Sequence, residues 1–311
     1  MKTSARKEHL FNLLFLIITA LSSFLIILIL VGLFITLFKE SFPAIQRFGF
    51  LRFLLSSSWD PVKELFGGAI PLFGTLITSF LALMVAVPVA LGIAVFITEV
   101  APKAFSEAIG MAIELLAAIP SIIYGMWGLF TLAPIQAKYV EPLLQRTLGH
   151  LPLLGRLFSG TPLGIDIFTA SLILSIMIIP FTASVARDAF QVVPSVLKES
   201  AYGMGATKWE VIKDVVFPYC KLGILGGIGL SLGRALGETM AVAFVLGNLN
   251  QFPSSLFSAT ATVTVKLANE FTEAEKDIHL SALFYLALLL FLMSFTILAL
   301  SKYFTERIKA R

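Results

Sequence analysis

An arginine and a glutamate stand four residues apart inside a long apolar stretch, Gly229-Leu-Ser-Leu-Gly233-Arg234-Ala-Leu-Gly237-Glu238-Thr239. A charge placed in hydrocarbon costs at least roughly 2.5–3.5 kcal/mol, so each must face a partner or a watery cavity rather than lipid. Two readings follow. In the first, Arg234 lies on the path of an anionic substrate, Glu238 holds or gates it, and Thr239 adjoins them. In the second, Arg234 and Glu238 form an internal ion pair that only locks helix packing, because residues four apart on a helix can touch. Gly229, Gly233 and Gly237 recur every four residues, a seam of small residues that lets another helix approach closely. The two charges follow that seam by one residue, about 100° round the helix.

Upstream lies a polar stretch, Glu199-Ser-Ala-Tyr-Gly-Met-Gly205, followed after nine residues by Val215-Val-Phe-Pro218. Pro194-Ser195 opens a helix here, with Ser195 as cap and Glu199 in its early turns. Gly203 and Gly205 break it and allow a tight turn. Ala206 to Phe217 reads as a second short helix with Trp209, Val211 and Ile212 as apolar contacts, and Pro218 bends the chain into the next apolar block. Such an element is either a lipid-surface helix or a plug for a partner's groove.

These residues sit in a chain of 311 residues that is 58% hydrophobic and 14% charged. Soluble domains carry about 25% charged residues. A bilayer core about 30 Å thick needs roughly 20 apolar residues in a helix, and six blocks qualify: 11–38, 70–98, 108–133, 165–187, 215–248 and 280–304. The expected fold is an all-α integral membrane protein with six transmembrane helices. The first block has a basic start and small residues at Thr19-Ala-Leu-Ser22-Ser23, as a secretory signal does. Its apolar run continues to Phe38, so an uncleaved anchor is expected.

Lys and Arg set the orientation. They gather in the N-terminus 1–10, in the loop 188–214 (Arg187 at its edge, Lys198, Lys208, Lys213) and in the tail 305–311, preceded by Lys302. Both termini and that loop are therefore expected in the cytoplasm. The segments 39–69, 134–164 and 249–279 are expected outside. A net charge of +4 fits basic inner loops and gives no reason to propose nucleic-acid binding. Cys220, the single cysteine, excludes an intrachain disulfide, and the scattered His9, His150 and His279 show no metal-site spacing. Pro71, Pro88, Pro120 and Pro180 suggest irregular helices packed round a path. Glu114 reads as a snorkelling or capping carboxylate or as part of transport, and Tyr124 and Trp127 as interface residues.

The Glu199–Pro218 spacing resembles the EAA loop of type I ABC importer permeases. Ser200 stands where the general motif has alanine. Ser58-Trp-Asp-Pro61, Glu114-Leu-Leu-Ala-Ala-Ile-Pro-Ser-Ile-Ile-Tyr-Gly125 and Gly233-Arg-Ala-Leu-Gly-Glu-Thr-Met-Ala241 are similar, more narrowly, to the phosphate-transporting members of that family. The resemblance covers nearly the whole chain. It implies a heterodimer with a sister permease, two copies of a cytoplasmic ATPase docked on Glu199, Ala201, Gly205, Ala206, Trp209 and Pro218, and an external phosphate-binding protein. It also implies that Arg234 and Glu238 belong to the phosphate path, in the plasma (inner) membrane of a bacterium or archaeon. No Gly-x-x-x-x-Gly-Lys-Ser/Thr loop is present, so the chain itself is expected to hold no cofactor and to hydrolyse nothing, ATP–Mg being bound by the partner. Three rivals stand beside this reading: a permease for sulfate, phosphonate or molybdate; an ion-coupled carrier or channel, for which no repeated halves are evident; and a membrane subunit that signals phosphate status.

Overall fold

The computed structural model describes residues 2–152 and 155–309, with side chains of residues 2–10, 304, 308 and 309 left aside. The helices run in the order α1 (Lys2–Phe48), α2 (Phe50–Leu55), α3 (Ala69–Val100), α4 (Lys103–Ala117), α5 (Ser121–Leu148), α6 (Ile167–Gln191), α7 (Ser195–Gly203), α8 (Lys208–Leu236), α9 (Met240–Ala243), α10 (Val263–Glu270) and α11 (Asp277–Lys309). Among the described residues there is no strand, only two isolated bridges. Five helices are long and apolar enough to cross a membrane, and α4 with α5 makes a sixth when the bent pair is counted as one.

That third block is not the straight span that residues 108–133 suggested. It breaks at residues 118–120 and turns by 88°. Pro120 has no N–H to give and its ring excludes a helical predecessor. At the break the carbonyl of Leu116 accepts the Tyr124 hydroxyl at 2.9 Å as well as the N–H of Ile119 at 3.3 Å. Tyr124 is therefore a buried residue that seals the bend and not an interface residue, whereas Trp127 is 43% exposed. The other prolines do not interrupt their helices: Pro71 lies in the first turn of α3, and Pro88 and Pro180 lie inside continuous helices.

α6 is the centre of the bundle, with 67% of its apolar window buried, whereas that of α1 is 0% buried in the isolated chain. Ala82, Ala86, Ala90 and Ala94 recur every four residues on α3 and are all fully buried. This second small-residue seam is what lets α3 lie close against neighbouring helices. α1 and α11 pair antiparallel, as Ser281 Oγ donating to Glu40 O (2.8 Å) and the Phe34–Phe291 contact (6.0 Å) require. α8 runs antiparallel to α11 in turn, Gly229 facing Ser301 and Gly233 facing Leu298. By these pairings the two ends of the chain and the α6–α8 connection share one end of the bundle.

Candidate functional site

α8 brings the two halves of the candidate site into one element. It runs from Lys208 to Leu236 as a single helix of 29 residues, so the short helix expected over Ala206 to Phe217 is not separate and Pro218 lies inside a continuous helix. A widened π turn, Val211–Val216, lies just before Pro218. It is placed where the proline ring would otherwise crowd the Asp214 carbonyl. At the N-terminus of α8, Thr207 and Glu210 form a reciprocal capping box. The bonds from Thr207 to Glu210, backbone first, hold its carboxyl below the usual range. The Thr-Lys-Trp-Glu spacing carries this signal, though it was not among the features read above.

α7 is capped by Pro194 with no side-chain bond, so Ser195 begins the helix and does not cap it. α7 ends in a tight turn at Gly205, whose φ of +89° lies in the left-handed region. The N–H of Ala206 donates back to Ala201 O at 3.1 Å. Ala201, Val211 and Ile212 are buried and root the turn. Glu199 is exposed, as is Pro218, and Val196 (66%), Met204 (84%) and Trp209 (64%) present a bare apolar surface. Trp209 thus lies on the surface of the isolated chain.

About six turns further along α8, Thr182 and Ser231 share a buried hydrogen bond of 2.8 Å that pins α8 to α6. Gly229 and Gly233 face α11 as a small-residue seam. Gly237 does not extend it, because the helix has ended at Leu236 and only carbonyls of its own last turn lie nearby. Gly223 and Gly227 make another close approach, to Ala189 and Val185 of α6. Arg234 is exposed in the last turn of α8, its guanidinium 5.7 Å from the centre of the Phe181 ring. A cation at a helix C-terminus is favourably placed. Among the described residues it has no acidic partner.

Glu238 turns the other way. Its Oε1 accepts from Ala241 N at 3.1 Å and starts α9, and its carbonyl accepts from the Thr264 hydroxyl at 2.7 Å. The internal ion pair between Arg234 and Glu238 is therefore absent, because the helix that would have put them four apart on one face stops between them. Thr239 bonds Gly237 O at 3.4 Å and lines an apolar cavity of about 470 Å³ with Thr264, Leu267, Phe271 and Leu283. What remains is a planar guanidinium fork with no acidic partner among the described residues, suited to bidentate contact with an oxyanion.

Glu114 meets Arg187 of α6 at 3.0 Å across a cavity of about 360 Å³ also lined by Ser106, Glu107 and Gln191. At the other end of the bundle, a cluster absent from the sequence reading ties the segment before α3 to α10 and α11. Glu270 accepts from Trp59 Nε1 (2.7 Å), pairs with fully buried Lys266 (2.7 Å) and contacts His279 Nε2 (3.0 Å). Burial pushes the Glu270 carboxyl up, but Lys266, Trp59 and His279 together outweigh it and hold it below its usual range. Among the described residues no group of three or more acidic, His or Cys side chains is placed to hold a metal.

Glu141 and Asp166 are both fully buried and adjacent at that same end. Burial, and after it the Asp166 charge, raises the Glu141 carboxyl from 4.5 to about 7. A raised folded value means its stabilisation is complete below 4.5 and is lost as pH climbs through about 7. Thermal stability of the purified protein is expected to fall as pH rises from 4.5 to about 7 for this reason, and Glu141→Gln to flatten that fall. Identical pH slopes for the two proteins would contradict it.

The chain belongs to the binding-protein-dependent transport system inner membrane components, a family whose profile matches residues 86–310 and so takes in both α7 and Arg234. It is a multi-pass membrane permease of the ABC type, not an enzyme in its own right. Within the family its similarity is to the PstC proteins. It is 50% identical over 308 residues to the phosphate transport system permease protein PstC of Mesorhizobium japonicum, covering 99% of this chain and 94% of the relative. Identity to PstC of Pasteurella multocida is 49% over 310 residues, with 100% and 96% covered. A probable PstC of Methanocaldococcus jannaschii is 33% identical over 298 residues, covering 94% and 93%. Two solved structures share the fold. One is the inward-facing MetNI methionine ABC transporter (TM-score 0.55, 15% identity, 76% of this chain and 93% of that one). The other is the bacterial alginate ABC transporter in complex with its alginate-bound periplasmic protein (TM-score 0.55, 19% identity, 90% and 88%).

Proposed function

We propose that the chain is one permease subunit of an ATP-driven importer that carries inorganic phosphate inward across the plasma (inner) membrane of a bacterium or archaeon. The observation that carries the substrate class is Arg234, a guanidinium at the end of a membrane helix with no acidic partner among the described residues. Similarity to PstC proteins over nearly the full length supports phosphate among the oxyanions. The working assembly pairs this chain with a PstA-like sister permease, a PstB-like ATPase dimer that binds ATP–Mg, and an external PstS-like phosphate-binding protein, all within membrane lipid. This chain holds no cofactor in that scheme.

The mechanism follows from the continuity of α8. The turn around Gly205, with exposed Glu199, Met204 and Trp209, is the cytoplasmic surface that the ATPase grips. Closure of the ATPase on ATP draws α7 inward, and α8, one continuous helix, carries that movement to Arg234. The spans then open outward, Arg234 receives the anion from the binding protein, and hydrolysis returns the path to the inside. Glu238 shapes the outer end of the path by starting α9. Competition decides the substrate. In proteoliposomes holding the whole complex, unlabelled phosphate is expected to suppress uptake of labelled phosphate while equimolar sulfate, phosphonate or molybdate leaves it unchanged. Equal suppression by sulfate would assign a different oxyanion.

A further inference from the structure

The short helix α7 makes one side-chain bond to the rest of the protein among the described residues, the ion pair of Lys198 with Glu99. Ser200, the other polar bonding residue of α7, donates only to Val196 O within the helix. Glu99 lies in the last, π-widened turn of α3, Phe96–Val100, and its side chain is 8% exposed. The same turn accepts the Ser106 hydroxyl of α4 at Ile97 O, 2.9 Å. A carboxylate this enclosed needs its cation, since an unpaired buried charge is strongly unfavourable. α3 in turn carries the alanine seam at Ala82, Ala86, Ala90 and Ala94, every member fully buried.

We infer that the Lys198–Glu99 ion pair is a strap through which α7 moves the second span, so that Lys198 and Glu99 are positioning residues for transport. The inference deepens the importer reading and rests on it. α8 is covalently continuous with the α7 turn, but α3 is not; it joins the movement only through contacts with α7 and its neighbours. Without the strap, α3 is driven only by the apolar cluster that joins Ala94 to Val216, Cys220 and Ile224 of α8; it lags as α7 and α8 shift, and ATP is hydrolysed for an incomplete rearrangement. The π turn at the end of α3 suits this role, because its hydrogen-bond geometry is loose enough to adjust under load.

The test measures ATP hydrolysed per phosphate imported by the complete complex in proteoliposomes. Glu99→Gln and Lys198→Met are each expected to raise that ratio by about fivefold, a typical size for coupling between sites. Lys198→Arg and the charge-reversed double variant Glu99→Lys with Lys198→Glu are expected to restore it. A merely structural role would lower uptake and hydrolysis together and leave the ratio unmoved. An unmoved ratio in both single variants, or a raised ratio that neither the conservative nor the reversed variant restores, overturns the strap alone. A wild-type complex with no ATP-driven uptake overturns the transport reading and the strap with it.

Discussion

Arg234→Ala is expected to cut phosphate uptake by about 100-fold or more, since a bidentate contact loses two charge-assisted hydrogen bonds of about 1.5–3 kcal/mol each and each 1.36 kcal/mol is tenfold. Arg234 ends α8 with its guanidinium beside Phe181 and no carboxylate in reach among the described residues. No internal salt bridge is lost with it, so assembly of the complex should survive, as a pull-down of the partner subunits would register. Arg234→Lys keeps the charge and loses the planar fork, and an intermediate defect of about tenfold is expected. Glu238→Gln separates the roles of the two charges. The amide oxygen can still accept from Ala241 N, so a helix-starting role predicts uptake within about threefold of wild type. A loss as deep as that of Arg234→Ala would instead give the Glu238 charge a direct part in moving the anion.

Gly205→Val is expected to uncouple the transporter. Gly205 has a φ of +89° and nothing within 4 Å of where a Cβ would stand. The substitution therefore acts through backbone strain and not through collision. Holding a non-glycine residue in such a conformation costs on the order of 1–3 kcal/mol, most for a β-branched one. Relief of that strain unwinds the turn that sets α7 against α8, and the exposed face at Met204 and Trp209 loses its shape. Uptake is expected to drop by about ten- to 100-fold while the anion still binds at Arg234. Gly205→Asn supplies the control, because asparagine tolerates the left-handed region. It should transport within about threefold of wild type. Equal defects in the two variants would mean that the side chain, and not the backbone, disturbs docking.

Much of this was legible in the residues. Apolar block length marks where the long helices lie, though not their bounds, because hydrocarbon thickness imposes it, and clustered Lys and Arg place both chain ends with the α7 turn, as the antiparallel pairing of α1, α11 and α8 independently does. The glycine at 205 announces its turn. What stayed hidden depends on distant neighbours. Four prolines look alike along the chain, yet only Pro120 breaks its span, where Tyr124 stands ready to take the Leu116 carbonyl. Periodicity ran Gly229, Gly233 and Gly237 together and so made Arg234 and Glu238 helical neighbours. The helix stops at Leu236 because Glu238 starts α9 and bonds Thr264 through its carbonyl. Trp59 meets Glu270 across 211 residues of sequence, and Lys198 meets Glu99 across 99. No local pattern encodes such pairs.

The central claim is that α8 links an ATPase-driven turn to an anion-binding arginine. Its most direct test is uptake of labelled phosphate into proteoliposomes that contain the complete complex with the binding protein outside and ATP supplied on the ATPase side. Accumulation that requires ATP, persists when proton and sodium gradients are collapsed, and vanishes in Arg234→Ala is the predicted result. Accumulation driven by an ion gradient without ATP would contradict it.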